Sequence, residues 1–352
     1  MQDIPVFDSD GHVDEDPIAI AARLPAEYRN PARRPGAPVF PSLDGWSRGV
    51  LVNRGDPERR YRHTSAEILS EILRTVGLEG SVLYPTEGLA VGLMQDSAHA
   101  AAVCGAYNDW LEAEYTRRDP RLLGVGLMPV QNPAAAVAEL SRCKTRTGFV
   151  AMLLPSVLGR PSTYGDAAFW PIYEAAARQH MPLAVHGGPA AFPGMPAFDD
   201  FAKVHMLSHP LPLLTQVADI VLSGVFDAFP DLRIAFLEAG CGWAPYWMDR
   251  MDHEYGTLNG LALRKRLRHR PSHYFRDTDN IWFSFELEEG TLGSVIDIIG
   301  SERLLYASDY GHESRLESIV GELAEFIDRP GLPDAVKSKL LGGNGRRLYG
   351  LG

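Results

Sequence analysis

Short apolar runs alternate with longer amphipathic stretches along the chain, as a parallel sheet crossed by helices requires. The runs Pro5–Asp10, Ser81–Pro85, Leu123–Met128, Phe149–Leu154, Leu183–His186, Arg233–Glu238, Ile281–Phe285 and Leu304–Ser308 read as strands. Most are apolar throughout, as strands covered on both faces must be. Between them, Ser65–Val76, Ser97–Arg118, Pro133–Thr145, Ala167–His180, Pro212–Phe229 and Gly290–Gly300 repeat apolar residues at three- and four-residue spacing and are predicted to be helices. Leu316–Ile327 supplies the helix after the eighth strand, and Pro333–Tyr349 reads as one more helix closing the chain. This pattern predicts the α/β class and a (β/α)8 TIM barrel. An open doubly wound sheet is the runner-up, but it normally places a Gly-rich phosphate loop after its first strand, where this chain has the acidic Asp8–Asp14.

One segment departs from the alternation. Between the first strand and the helix at Ser65 lies a Pro/Gly/Arg-rich insertion, about residues 25–63, that contains Trp46, Arg48 and Arg54. An insertion of that length in a compact domain is functional or disordered more often than not. Its place after the first strand puts it on the C-terminal face of the barrel, so it is expected to act as a lid or substrate wall of a single domain spanning residues 1–352.

Composition narrows the class. The 352 residues are 45% hydrophobic, 22% charged and 9% aromatic, which excludes a disordered or collagen-like chain. With 34 Lys+Arg against 45 Asp+Glu the formal net charge is −11, so nucleic acid and anionic membrane surfaces are not expected partners. No apolar run approaches the ~18 residues needed to span a bilayer, and Met1–Asp10 carries acids where a signal peptide carries bases; a cytoplasmic location is expected. Cys104, Cys143 and Cys241 are odd in number and widely spaced, which fits reduced, mostly buried thiols.

The candidate chemistry sits where strands end. In a barrel of this kind, side chains at the C-terminal ends of strands converge on one mouth. The first strand ends in Asp10-Gly11-His12, the fifth in His186-Gly187-Gly188, the sixth in Glu238-Ala239-Gly240 and the eighth in Asp309-Tyr310-Gly311-His312. Asp10 and His12 are two apart, so in an extended strand they share a face and could reach one cation. Taken singly, each residue also has a structural reading: Asp10 or Asp309 as a cap, His12 or His186 as a hydrogen-bonded imidazole, Glu238 as a carboxylate receiving turn amides. Together Asp10, His12, His186 and Asp309, four ligand-type residues at the mouth ends of strands one, five and eight, point to a site. Glu238 would serve as proton donor, base or ligand-orienting partner, while His209 or His312 would shuttle protons or hold a substrate carboxylate.

These motifs resemble the amidohydrolase-related, metal-dependent barrels, a family that includes the aminocarboxymuconate-semialdehyde and resorcylate-type decarboxylases. The likeness is carried by Asp8-Ser9-Asp10-Gly11-His12, Val185-His186-Gly187-Gly188, Gly224–Arg233 running into Glu238-Ala239-Gly240-Cys241-Gly242-Trp243, and Leu305–Tyr310. Tyr107–Trp110 and Asn344–Tyr349 extend it in order. The resemblance implies one divalent metal, manganese or zinc, with the family's first-strand pair falling on Asp10 and His12, its fifth-strand histidine on His186 and its eighth-strand aspartate on Asp309. It also implies a small-molecule substrate and a homo-oligomer, a dimer in many relatives. Two departures stand out. Asp10 replaces a His or Glu, which adds oxygen character and favours manganese over zinc, and Glu238 stands where many of the decarboxylases carry a catalytic histidine.

The leading expectation is therefore a non-oxidative, metal-dependent decarboxylase of a small aromatic or unsaturated carboxylic acid. In it Asp309 or a histidine protonates the carbon that loses CO2, and Arg48 or Arg54 grips a carboxylate. Trp46, Trp243 and Tyr310 would wall a planar substrate. The alternative is a hydrolase that turns metal-activated water on an ester, lactone or amide, with Asp309 or Glu238 as base. A metal-free binding barrel is a third reading, resting only on the Asp10 replacement.

Overall fold

The computed structural model describes residues 4–29, 38–41, 65–188, 198, 201–311 and 316–351. Within them eight parallel strands hydrogen-bond in chain order: β1 Val6–His12, β2 Leu78–Tyr84, β3 Leu122–Gly126, β4 Phe149–Pro155, β5 Leu183–His186, β6 Ile234–Leu237, β7 Ile281–Phe285 and β8 Leu304–Tyr306. Sequential order with every neighbour parallel is the (β/α)8 barrel that the alternation predicts. The ring closes at its C-terminal rim, where Asp309 N donates to Asp10 O at 2.8 Å and His12 N donates to Tyr310 O at 2.8 Å. Each strand is flanked by apolar surface on both sides, and all but one of the strand residues are buried, the exception being Glu79.

The first strand is irregular in a way that matters for the site. Asp8 pairs with Ser81 and Gly11 with Leu83, so three residues of β1 advance against two of β2. Such a bulge re-aims side chains near a barrel rim. It turns Asp8 toward a crevice lined by Leu69 and Leu73 of the helix Ala66–Val76 and by Ile319, while Asp10 meets His186 across the barrel.

Most predicted helices are present with boundaries shifted by a residue or two, and the differences have local causes. The predicted helix Ser97–Arg118 is α-helical over Ser97–Leu111 and then widens into a π turn at Glu112–Thr116. There Glu112 and Asp109 take up Arg146, and Arg142 bonds Asp109 at 2.7 Å and Glu139 at 2.8 Å. The single closing helix is instead Asp334–Ser338, a π turn at Lys339–Gly343 and Asn344–Tyr349. A helix at Pro17–Arg23 was not predicted; Asp16 caps it by accepting from Ile18 N at 2.8 Å and Ala19 N at 3.0 Å, with Pro17 at the first position. No helix among the described residues is long and apolar enough to cross a membrane. All three cysteines are free and buried.

Candidate metal centre

At the mouth, the ends of β1, β5, β6 and β8 bring five polar side chains together. His12 and His186 are fully buried, Asp10 is nearly so, and Glu238 and Asp309 lie at the rim. His12 Nδ1 lies 3.1 Å from Pro85 O and 3.3 Å from Thr86 Oγ1. A carbonyl can only accept, so Nδ1 carries the proton and the lone pair is on Nε2. That Nε2 is 3.4 Å from Asp309 Oδ1 and 3.7 Å from Asp10 Oδ1. His186 repeats the arrangement: Nδ1 is 2.7 Å from Gly187 O, and Nε2 is 3.2 Å from Asp10 Oδ1.

Glu238 joins from the sixth strand. Its Oε2 lies 3.1 Å from His186 Nδ1 and 3.3 Å from His209 Nε2, so one carboxylate bridges two imidazoles. Both Glu238 (φ 66°) and Asp309 (φ 48°) adopt the left-handed conformation that disfavours a side chain, and such strain gathers at functional sites. The turn after β6 is held by a residue that sequence reasoning missed. Glu289 accepts from Cys241 N at 3.1 Å and Gly242 N at 2.6 Å, taking the turn amides that Glu238 was expected to receive in its structural reading. Glu238 is thus left to face the histidines.

The donor set fits a cation. Ligand atoms of Asp10, His12 and His186 lie within 4.8 Å of one another, and so do those of His12, Glu238 and Asp309. Three carboxylates gathered in a largely buried volume repel one another unless a positive charge offsets them. Burial pulls His186 down, but the Asp10 and Glu238 carboxylates more than reverse this and raise it to about 9. The protein itself thereby draws positive charge to this point. Two imidazoles and several carboxylate oxygens form the donor chemistry of a manganese or zinc site.

The remaining predicted site residues separate. His209, expected near a helix start, lies between the helices Phe201–Ser208 and Pro210–Leu222 and is buried against the cluster. The Trp243 ring packs edge-on against Phe283, which itself stacks on Phe275 of the helix Pro271–Arg276, and its indole N–H donates to Gly240 O. Tyr310 borders the crevice behind β1 alongside Asp8. Trp46, Arg48, Arg54 and His312 lie outside the described residues.

Asp8, Glu15 and Thr86 also escaped the sequence reading. Asp8 is buried in the crevice; burial pushes its carboxyl up to about 6, against hydrogen bonds from Ser81, Ser308 and Asp10 that pull it down. Glu15 accepts from Thr86 N, Glu87 N and Gly88 N at 3.1, 3.1 and 2.8 Å, pinning the turn whose Pro85 carbonyl orients His12.

A parallel barrel with an imidazole and carboxylate cluster at the C-terminal ends of its strands defines a class of barrel enzymes that work through a divalent metal. Residues 83–351 match the amidohydrolase family, and the chain belongs to that family. It is 25% identical over 314 residues to a gamma-resorcylate decarboxylase of Polaromonas sp., covering 87% of this chain and 94% of that relative. A 2-amino-3-carboxymuconate-6-semialdehyde decarboxylase of Dictyostelium discoideum is 23% identical over 246 residues, 69% of this chain and 65% of that one. Among solved structures, 5-carboxyvanillate decarboxylase from Sphingomonas paucimobilis superposes with a TM-score of 0.76 at 24% identity, covering 99% of this chain and 100% of that one. A dihydroxybenzoic acid decarboxylase from Polaromonas sp. JS666, with bound manganese and the inhibitor 2-nitroresorcinol, gives a TM-score of 0.76 at 21% identity over 99% and 97% of the two chains.

Proposed function

We propose that this chain is a manganese-dependent, non-oxidative decarboxylase of a small aromatic carboxylic acid, with Asp10, His12, His186 and Asp309 holding the metal. The observation that carries the reading is the meeting of two oriented imidazoles and three carboxylates at the barrel mouth, in a chain whose relatives bear decarboxylase names. The oxygen-rich donor set favours manganese over zinc. A cation bound there supplies Lewis acidity, drawing electron density from substrate oxygens.

The chain's own residues do the rest. Decarboxylation breaks the bond from ring carbon to carboxylate carbon, releases CO2 and leaves the bonding pair on the ring carbon, which must take up a proton. Asp309, at the rim with its side chain 20% exposed, is placed to deliver that proton. Glu238, between His186 and His209, holds His186 in its ligand orientation and gives a route by which protons reach the rim. Arg48 or Arg54, from the insertion at about residues 25–63, is proposed to grip the substrate from a lid over a single domain of residues 1–352. The free, buried thiols favour a reducing, cytoplasmic setting, and the net charge of −11 argues against nucleic acid as partner; a homodimer follows the family.

Asp309→Asn tests this. With dihydroxybenzoates as substrates, CO2 release should fall by at least a thousandfold while the thermal unfolding midpoint stays within a few degrees; a fully active variant overturns the mechanism. Glu238 in place of a sixth-strand histidine supports a second reading, hydrolysis. Labelled water oxygen entering an ester or lactone product, without CO2 release, would establish it instead.

A further inference from the structure

The residues facing the cluster are held from behind the barrel wall by a device that none of the assigned ligands contains. Asp8 lies on the helix side of β1, where its carboxylate accepts from Ser308 N at 2.9 Å, Ser308 Oγ at 2.8 Å, Ser81 Oγ at 2.6 Å and Asp10 N at 3.1 Å. Ser308 directly precedes Asp309, and its Oγ also accepts from Tyr310 N at 3.1 Å. The rim bonds from Asp309 N to Asp10 O and from His12 N to Tyr310 O complete a seam between β1 and the turn after β8. Space around the clasp is tight: a Cβ on Gly11 would lie 2.4 Å from Ser81 Oγ and 2.9 Å from Asp8 Oδ2.

Asp309 needs such a seam. Its φ of 48° is unfavourable for a residue with a side chain and persists only where the surroundings fix it. Flanked by Ser308, bonded at N and Oγ, and Tyr310, bonded at N and O, Asp309 is pinned on both sides. Its carboxylate is thereby kept 3.4 Å from His12 Nε2. Ser81 donates to the same carboxylate at 2.6 Å, from β2 rather than from the turn after β8.

We propose that Asp8 and Ser308 are positioning residues for the metal centre, setting the distance between Asp10, His12 and Asp309 through the strained turn. The inference rests on the metal assignment above. The Ser308 hydroxyl acts as a hinge pin: without it the turn relaxes toward an ordinary conformation and Asp309 leaves the cluster.

The experiment compares metal-free wild type with Ser308→Ala, Ser308→Thr and Ser81→Ala by manganese(II) titration calorimetry, with thermal unfolding of each metal-free protein. Ser308→Ala should weaken manganese binding by about tenfold or more, as loss of a ligand-orienting partner does. Ser308→Thr should restore it, and Ser81→Ala should lower the unfolding midpoint comparably while keeping wild-type affinity. Unchanged affinity in Ser308→Ala, or equal losses in Ser308→Ala and Ser81→Ala, overturns the proposal. Wild type that binds no manganese instead overturns the metal assignment on which it stands.

Discussion

At the residue scale, the cluster depends on the side chain that position 187 lacks. A Cβ there would sit 2.5 Å from His209 Cδ2 and 2.9 Å from Glu238 Oε2, so the two groups reach each other only because the residue after His186 is glycine. Gly187→Ala should cost about 1–3 kcal/mol of stability by overpacking and lower kcat more than KM, because it displaces Glu238 and His209; urea unfolding and steady-state kinetics measure both. The proposed ligands stand out in the sequence as polar residues closing apolar runs: His186 ends Leu183-Ala184-Val185, and Asp309 follows Tyr306-Ala307-Ser308. Their supports do not. Asp8 finds Ser81 and Ser308 at separations of 73 and 300 residues, and Glu289 meets the Cys241 amide 48 residues away, distances over which no local pattern runs.

At the element scale, eight strands and most helices follow from periodicity, since burial on both faces and amphipathic spacing leave direct marks in the sequence. What periodicity hides is the interruption of a helix that keeps its apolar spacing, as in the π turns at Glu112–Thr116 and Lys339–Gly343. The turn after β2 carries its own titration. Burial pushes Glu15 from an ordinary 4.5 up to about 8, with the Gly88 amide pulling down and the Glu87 charge pushing up. A carboxyl raised in the folded state binds its proton more tightly there than in the unfolded chain. Its contribution is therefore present below about 4.5 and is lost as pH rises through about 8. The unfolding free energy should fall across that window by up to ~1.4 kcal/mol per pH unit, and Glu15→Gln should flatten the fall. A variant with the wild-type slope would show that another group titrates.

On the scale of the whole molecule, binding to the folded state alone should stabilise the barrel. Manganese at a hundredfold excess over its Kd should add about 2.7 kcal/mol, visible as a higher Tm that chelator reverses; His186→Ala should abolish that rise and, because it removes the buried imidazole paired with Asp10 and Glu238, also lower the metal-free Tm. The seam between β1 and the turn after β8 has one more consequence, and it concerns time. A barrel has no free edge once closed, but β1 is synthesised first and its closing partner near residue 309 about three hundred residues later, at ~5–20 residues per second roughly 15 to 60 s. Throughout that interval β1 is an open strand edge, the kind of surface on which nascent chains pair with the wrong neighbour. Of the eight strands it is the one that carries two aspartates, Asp8 and Asp10. The carboxylates that later anchor the seam and face the proposed metal position first keep the waiting strand hydrated and unattractive to other edges, so a change such as Asp8→Val should show itself in the yield of soluble chain before it shows in the finished enzyme.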